Sequence, residues 1–154
     1  MRALRVGWAI VLAACGGAGD GAGGGGGGGA AACAAPSTGL WATFDVGGES
    51  FSSEIDAPAG VEQAVDLWQR RSSASIPNGE LVCAEAPYNC AWSFHQDPAT
   101  IGFADVTTEV CDGLPSYVDA HCAAFGKYYC PWGAKLVALR DCRTDPACPA
   151  VPRE

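Results

Sequence analysis

His95 is the side chain in this sequence best suited to catalysis or metal binding. An imidazole changes charge near neutral pH and can accept or donate a proton. Asp105 and Glu109 lie in the next segment of alternating apolar and polar residues, and pairing of the two segments would bring a carboxylate toward the ring. Such a face could exchange protons or hold a metal ion. The interpretation we favour is structural: the histidine bonds a neighbouring carboxylate and backbone, and so pins a loop.

Four carboxylates in the same region offer oxygen ligands of the kind that calcium prefers. They are Asp97, Asp105, Glu109 and Asp112. Their spacing differs from that of a known calcium loop, so they are only weak metal candidates. A second set has the ligand types of zinc but matches no short zinc pattern. It consists of Cys111, His121, Cys122 and Cys130. The sequence therefore predicts no metal and no other cofactor.

Neither an activated nucleophile nor a sugar-binding platform stands out. The chain lacks a nucleophile elbow, an HExxH helix and a haem-attachment motif. Ser93 precedes His95 by only two residues on the same predicted strand face, which is too close for a catalytic triad. Four tryptophans are expected in the core rather than on a stacking surface. They are Trp41, Trp68, Trp92 and Trp132.

The segments that carry His95 and the carboxylates alternate side chains as half-buried strands do. Residues 89–97 form the first segment, and a turn at Pro98 leads into the second, residues 103–110. In the second, Val106 and Val110 would point inward. We predict that these segments are the central strands of a small sheet.

Changes in hydrophobic period locate the other elements. Strands are predicted at residues 41–46, 49–55, 81–84 and 135–139, with a hairpin turn at 47–48 and another turn at 76–79. One helix contains Val61 and Trp68, and a second is capped by Ser116 and ends by Gly126. The order ββαβββαβ predicts an α+β domain, with two helices against one side of a small, disulfide-tied antiparallel sheet.

The N-terminal residues 1–14 have the features of an export signal. Arg2 and Arg5 precede an apolar run that is too short to span a bilayer. The sequence Leu12-Ala13-Ala14-Cys15 resembles the lipobox of bacterial lipoproteins. The resemblance implies cleavage before Cys15 and acylation there, and Gly16 in place of Asp then implies the outer membrane. Several acyl chains would make the attachment lasting.

Three further regions follow the predicted signal. Residues 15–38 comprise the acylated cysteine and a Gly/Ala-rich segment, which is expected to be a flexible tether. Residues 39–143 are predicted to be a single globular domain. Residues 144–154 form a Pro-rich tail that is expected to be loose.

Nine cysteines indicate a disulfide-tied exported protein. Cys15 is assigned to lipid. Cys83 and Cys90 lie on predicted adjacent strands across a short loop, so we expect them to pair. Cys111 and Cys130 flank the second helix and predict a second bond. Pairing of the remaining four is open, and the first of them could pair with the tail or stay unpaired: Cys33, Cys122, Cys142 and Cys148.

The formal net charge of −8 limits the class of partner. An acidic surface repels phosphate backbones and anionic head groups, so nucleic acid is not an expected partner. Acidity alone does not choose among a cationic peptide, a metal ion and a basic protein.

Short blocks between residues 42 and 142 recur in the order of a known family. They are Ala42-Thr43-Phe44-Asp45-Val46, Leu67-Trp68, Ile76-Pro77-Asn78-Gly79, Trp92-Ser93-Phe94-His95, Asp97-Pro98, Phe103-Ala104-Asp105, Glu109-Val110-Cys111-Asp112-Gly113, Pro115-Ser116-Tyr117-Val118 and Tyr129-Cys130-Pro131-Trp132. Together they resemble the N-terminal domain family of the cAMP-inducible slime-mould protein "BP seventy-four", which also occurs in bacterial secreted proteins. The Cys-Asp-Gly and Cys-Pro-Trp blocks are the most specific. The resemblance implies a fold and assigns no catalytic residue.

These observations predict a membrane-anchored, non-catalytic recognition domain for an unknown protein or small ligand. It would lie in the cell envelope on a membrane surface facing away from the cytoplasm, the outer membrane by the Gly16 argument. One alternative is a hydrolase or other enzyme that uses His95 with Asp105 or Glu109, which would need a cleft around the histidine. Another is a protease inhibitor that exposes residues 85–89 inside a Cys83–Cys90 loop.

Overall fold

The structure is a computed structural model that describes residues 33–36 and 38–153. The predicted signal peptide, Cys15 and most of the predicted tether lie outside these residues. Neither helix in the described part of the chain combines the length and apolar character needed to cross a bilayer.

Seven strands and two helices follow one another in nearly the predicted order. They are β1 (Leu40–Val46), β2 (Glu49–Ile55), α1 (Pro58–Trp68), β3 (Ile76–Val82), β4 (His95–Gln96), β5 (Gly102–Ala104), α2 (Pro115–Phe125), β6 (Tyr128–Tyr129) and β7 (Lys135–Asp141). Short 3-10 helices occupy Pro87–Asn89 and Glu109–Cys111. The α+β class with two helices and antiparallel strands is confirmed. The two-residue strand β6 is the one addition to the predicted order.

The β1–β2 hairpin forms where the sequence predicts it. Val46 pairs with Glu49 across Gly47 and Gly48, whose φ angles are +63° and +93°. Two successive positive φ angles match the twist of a two-residue hairpin, and glycine adopts them without steric cost. β7 pairs with the other edge of β1, which completes a three-stranded antiparallel sheet in the order β2-β1-β7.

A second set of strands is organised around β3, so the expectation of a single sheet is wrong. The first residues of β3 pair with β5, its middle with β6, and its last residues with β4. The turn predicted at residues 76–79 is the beginning of this strand. Gly79 belongs there because a Cβ atom would come within 2.9 Å of the Ile101 side chain.

The two predicted central strands are much shorter than their alternation suggests. Only residues 95–96 and 102–104 are in strands, and the two strands pair with different parts of β3 rather than with each other. Val106 and Val110 are 75% and 82% exposed instead of pointing inward. Alternation marks an extended chain, but it cannot supply the partner strand that would bury one face.

Each helix contributes one face to the core. α1 begins at Pro58, a favoured first helical residue, and contacts β5 and β7. α2 directs Val118, Cys122 and Phe125 toward the core. The predicted Ser116 cap is wrong, because the cap position is Leu114. Ser116 donates through both its backbone N–H and its hydroxyl to the Glu49 carboxylate, at 2.7 Å each, which ties the helix to β2.

One apolar core receives side chains from both sheets and both helices. Tyr129 of β6 is fully buried, and its ring lies 5.3 to 5.9 Å from the rings of Phe51, Phe94 and Phe125. Beside it, buried Gln96 accepts a hydrogen bond from Ser53 and donates one to the Tyr129 carbonyl, each at 2.8 Å. Since both ends of the amide are bonded, this polar side chain links the two sheets without a desolvation penalty.

Four disulfides tie the domain, and one of the two predicted bonds is wrong. Their pairs are Cys33–Cys90, Cys83–Cys122, Cys111–Cys130 and Cys142–Cys148. Cys111–Cys130 is the predicted bond across α2. Cys83 does not pair with Cys90, because the intervening chain folds as a 3-10 helix whose Tyr88 and Asn89 are buried. Asn89 accepts a hydrogen bond from the Ser52 N–H and donates one to the Phe94 carbonyl, which holds this segment against β2.

Both ends of the described chain are attached to the domain. Cys33 is bonded to Cys90, and the Ala34 N–H donates to the Pro87 carbonyl at 3.0 Å. At the other end, the Cys142–Cys148 bond and an Arg140–Ala150 bridge return the tail alongside β7. The described part of the tail is therefore tied to β7 by these bonds, although most of its side chains are exposed.

Candidate functional site

His95 is held by backbone rather than by a carboxylate. Its Nδ1 lies 2.8 Å from the Ala84 carbonyl oxygen, and the Tyr88 ring meets the imidazole edge-on at 6.1 Å. A carbonyl oxygen only accepts, so Nδ1 carries the proton in this contact. His95 thus joins the start of β4 to the chain that follows β3, which is a positional role.

Asp105 and Glu109 do not approach His95 through the strand pairing that the sequence predicts. His95 pairs with Val82 on β3, whereas Ala104, next to Asp105, pairs with Ile76. Six residues of extended chain separate these two positions on β3, or about 20 Å. Asp105 instead accepts a hydrogen bond from Ser73, and Glu109 is exposed in a 3-10 helix. The strand pairing on which the predicted His–carboxylate face depended is therefore not formed, since β4 and β5 pair with different parts of β3.

Two of the weak metal candidates, Asp97 and Asp112, accept hydrogen bonds from backbone N–H groups. Asp97 accepts from the Ala99 N–H at 3.0 Å. Asp112 accepts from the N–H groups of Gly113 and Trp132, both at 2.9 Å. Among residues 33–36 and 38–153, no three side chains of His, Cys, Asp or Glu are grouped so as to hold a metal ion. The three cysteines of the zinc-like set belong to two different disulfides, and its histidine lies on the surface of α2.

The predicted core tryptophans lie at the margin of the core. Trp68 and Trp92 are half-buried and pack against it, with indole N–H bonds to the carbonyls of Val151 and Ser50. Trp41 is half-buried beneath the guanidinium of Arg140. Trp132 is 39% exposed and bonds the Thr107 hydroxyl, so its assignment to the core is wrong.

A cleft of about 630 Å³ lies beside the Cys83–Cys122 disulfide and contains Ser93, Asp119 and His121. These residue types invite comparison with a catalytic triad. The Ser93 hydroxyl and backbone N–H both donate directly to the Asp119 carboxylate, at 2.7 and 2.6 Å. In a triad the histidine stands between the other two groups. His121 instead bonds the Tyr117 carbonyl and stacks on the Tyr117 ring at 4.4 Å, so the arrangement does not activate a serine.

The buried phenols are also poor catalytic groups. Burial raises the pKa of Tyr129 and of Tyr88 far above the usual value, and nearby carboxylates add to both shifts. Tyr129 donates its hydroxyl to the Gly113 carbonyl at 3.1 Å. Both groups therefore stay protonated at physiological pH and serve packing and hydrogen bonding.

A second cleft, of about 350 Å³, was not visible to sequence reasoning. We name it the basic cleft: it is lined by Leu67, Trp68, Arg70, Ser75, Ala134, Lys135, Leu136 and Arg153. Its three cations come from the chain after α1, the first residue of β7 and the C-terminal tail. The sequence shows these residues far apart, and only the return of the tail along β7 brings Arg153 to the end of α1.

Comparison with known proteins gives a family match for this chain. Searches of curated proteins and of solved structures found no match. The family described as the "BP seventy-four" N-terminal domain matches residues 37–143, which is more than half of the chain and nearly all of the folded part. This is the family that the sequence blocks resemble, and the match spans both sheets and both helices. The chain therefore belongs to the "BP seventy-four" N-terminal domain family.

Proposed function

We propose that this chain is a lipid-anchored, non-catalytic recognition domain displayed outside the cytoplasm on the outer membrane. The cysteine pairing is the observation that supports a lipid anchor at Cys15. Eight of the nine cysteines bond to one another in four disulfides, which leaves Cys15 of the lipobox-like sequence as the one not used. Four disulfides are also typical of an oxidising compartment outside the cytoplasm.

The geometry at the candidate catalytic residues supports recognition rather than turnover. His95 is fixed by a backbone carbonyl, and Ser93 is bonded straight to a carboxylate. An enzyme would need a nucleophile or base aimed into a cleft and oriented by a third group. These side chains instead join neighbouring segments of the fold.

The protease-inhibitor alternative gains no support from the loop on which it depends. Residues 85–89 are closed by bonds from Cys83 and Cys90 to other parts of the domain. Ala86, Tyr88 and Asn89 are at most 6% exposed. An inhibitor loop must present consecutive residues to a protease, and this segment directs most of its side chains inward.

The distance between membrane and domain follows from the same proposal. The Cys33–Cys90 bond attaches residue 33 to the folded body. The spacer between lipid and domain would then run from Cys15 to Cys33. It would be shorter than the segment 15–38 that the sequence predicts as the tether. A Gly-rich spacer of this composition lets the domain sample positions above the bilayer.

Metabolic labelling of the full chain tests the anchor. In a bacterial host with two membranes, wild-type protein should incorporate labelled palmitate and fractionate with the outer membrane. The Cys15→Ser variant should carry no label and should be released from the membrane. Label that persists in Cys15→Ser, or a wild-type chain without label, would refute the anchor.

A further inference from the structure

The basic cleft concentrates positive charge in an acidic molecule. The described residues contain 7 of the chain's 9 basic residues, since Arg2 and Arg5 fall outside, and 15 of its 17 carboxylates, since Asp20 and Glu154 fall outside. Three of the seven cations line this one cleft, and no carboxylate does. Since carboxylates are about twice as numerous as cations in the described residues, this lining is a local concentration of positive charge.

The cations of the cleft differ from most of the others in forming no ion pair within the described residues. Arg71, Lys127 and Arg143 form ion pairs of 2.6 to 2.8 Å with Asp66, Glu80 and Asp141. Within residues 33–36 and 38–153, Arg70, Lys135 and Arg153 form none. The described chain thus leaves three cations at one cleft without a carboxylate in ion-pair contact, and an anionic ligand could supply one.

Arg153 is positioned before any ligand arrives. Its guanidinium carbon lies 3.9 Å from the centre of the Trp68 ring. The ring is itself fixed, because its indole N–H donates to the Val151 carbonyl at 2.8 Å. A stacked guanidinium keeps its donors in one plane and loses little freedom when it binds a carboxylate or phosphate.

Arg70 occupies a backbone position that favours glycine. Its φ angle is +59°, and its N–H bonds the Leu67 carbonyl just after the end of α1. Helices commonly end with glycine or asparagine in this left-handed conformation, which strains other residues. A cation near a helix C-terminus gains some stability from the helix dipole. The dipole of α1 does not account for the presence of Lys135 and Arg153 in the cleft, because these two residues come from other elements.

The rest of the lining sets the size and character of the ligand. Leu67, Leu136 and Ala134 belong to the core or pack against it and give the cleft an apolar side. A volume of about 350 Å³ is at the lower end of small-molecule sites. We propose that the basic cleft binds a small organic anion, in which a phosphate or paired carboxylates sit on a compact apolar body. This inference rests on the proposed recognition function and names its ligand class.

Calorimetry with the detergent-solubilised full chain tests the site, with phenyl phosphate and phthalate as probes. At least one probe should bind more tightly than inorganic phosphate, because the apolar side adds to the charge interaction. Affinity should fall as salt rises. Tighter binding of phenyl phosphate indicates a phosphate ester as the ligand, and tighter binding of phthalate indicates a polycarboxylate.

Substitutions distinguish this cleft from general surface charge. Arg153→Gln and Lys135→Gln should each weaken binding by about tenfold or more. Arg140→Gln is the matched control, because Arg140 also lies over a tryptophan, at 5.9 Å from the Trp41 ring, but outside the cleft. Thermal melts would verify that each variant is folded.

Two results would overturn the site. One is the absence of binding heat for both probes at millimolar concentration, and the other is an equal loss of affinity in Arg140→Gln and Arg153→Gln. Palmitate labelling of the same protein separates this failure from failure of the proposed function. A palmitate-labelled protein that binds neither probe would refute only the anion site in the basic cleft. An unlabelled protein that binds them would refute only the lipid anchor.

Discussion

The polar residues of this domain fall into two groups. Some form hydrogen bonds that hold the fold, and others carry a charge without an ion-pair partner in the described chain. His95, Asp97 and Asp112 each bond nearby backbone. Arg70 and Arg153 receive no carboxylate from the described chain, and one of them lies in a strained conformation. Strain and unpaired charge together are characteristic of sites kept for binding rather than for stability.

Arg70→Gly should stabilise the protein and weaken anion binding at once. Glycine relieves the left-handed strain, for an expected gain of about 0.5–1 kcal/mol in the free energy of unfolding. The matched variant Arg70→Gln keeps the strain and loses the charge, so it should weaken binding without the gain. Urea unfolding and calorimetry measure the two effects. Equal stability of the two variants would show that Arg70 carries no strain.

His95→Ala should cost stability without affecting recognition. The substitution removes the donor to the Ala84 carbonyl and the edge contact with Tyr88. We expect a loss of about 1–2 kcal/mol in the free energy of unfolding. Phenyl phosphate binding should be unchanged, because His95 is not among the residues that line the basic cleft. A tenfold loss of affinity in a folded His95→Ala protein would contradict this prediction and would show that His95 contributes to binding.

At the scale of elements, the packing of α1 against the chain before β5 is unusually close. A Cβ atom at Gly60 would lie 2.1 Å from the Ile101 carbonyl oxygen. Gly60→Ala should therefore destabilise the protein by about 1–3 kcal/mol from overpacking, although alanine favours a helix by about 1 kcal/mol. Gly133→Ala is the control, since nothing lies within 4 Å of its added Cβ. A rise in unfolding midpoint for Gly60→Ala would show that the helix can move away.

Elements with a local signal were predictable from the sequence. Gly47-Gly48 specifies its hairpin through backbone conformation, and the helical period of α1 survives because one face meets the core. The first half of strand β3 was not predictable, because Pro77, Asn78 and Gly79 favour a turn in isolation, and only its end overlaps the strand predicted at residues 81–84. Three short strands, β4, β5 and β6, supply its partners from distant positions. Tertiary pairing overrides local propensity in such a case.

The candidate site was less predictable than the fold for the same reason. His95 and the carboxylates attracted attention through residue type, which carries no information on distance. The basic cleft joins positions 70, 135 and 153, and their proximity depends on how the tail returns along β7. The sequence offered one indication of this site: because acidic residues are in excess, each lysine and arginine is a candidate for binding an anion.

At the scale of the whole molecule, disulfide bonds add to the stability that a modest apolar core provides. Cys33–Cys90 joins residues 57 apart, whereas Cys142–Cys148 joins residues 6 apart. Loop-closure entropy predicts about 4 kcal/mol of stabilisation for the first and about 2 kcal/mol for the second. Serine pairs at each position should therefore lower the free energy of unfolding unequally, as measured in urea. A larger loss from the Cys142/Cys148 pair would contradict this ranking.

The central claim is that the chain leaves the cytoplasm, acquires lipid at Cys15 and closes its other eight cysteines. Mass spectrometry of the mature protein, unreduced and digested without thiols, tests this claim in one measurement. We predict an N-terminal peptide that begins at an acylated Cys15 and linked peptides for Cys33–Cys90, Cys83–Cys122, Cys111–Cys130 and Cys142–Cys148. A mature chain that retains Met1, or one whose cysteines all react with an alkylating reagent before reduction, would contradict the account.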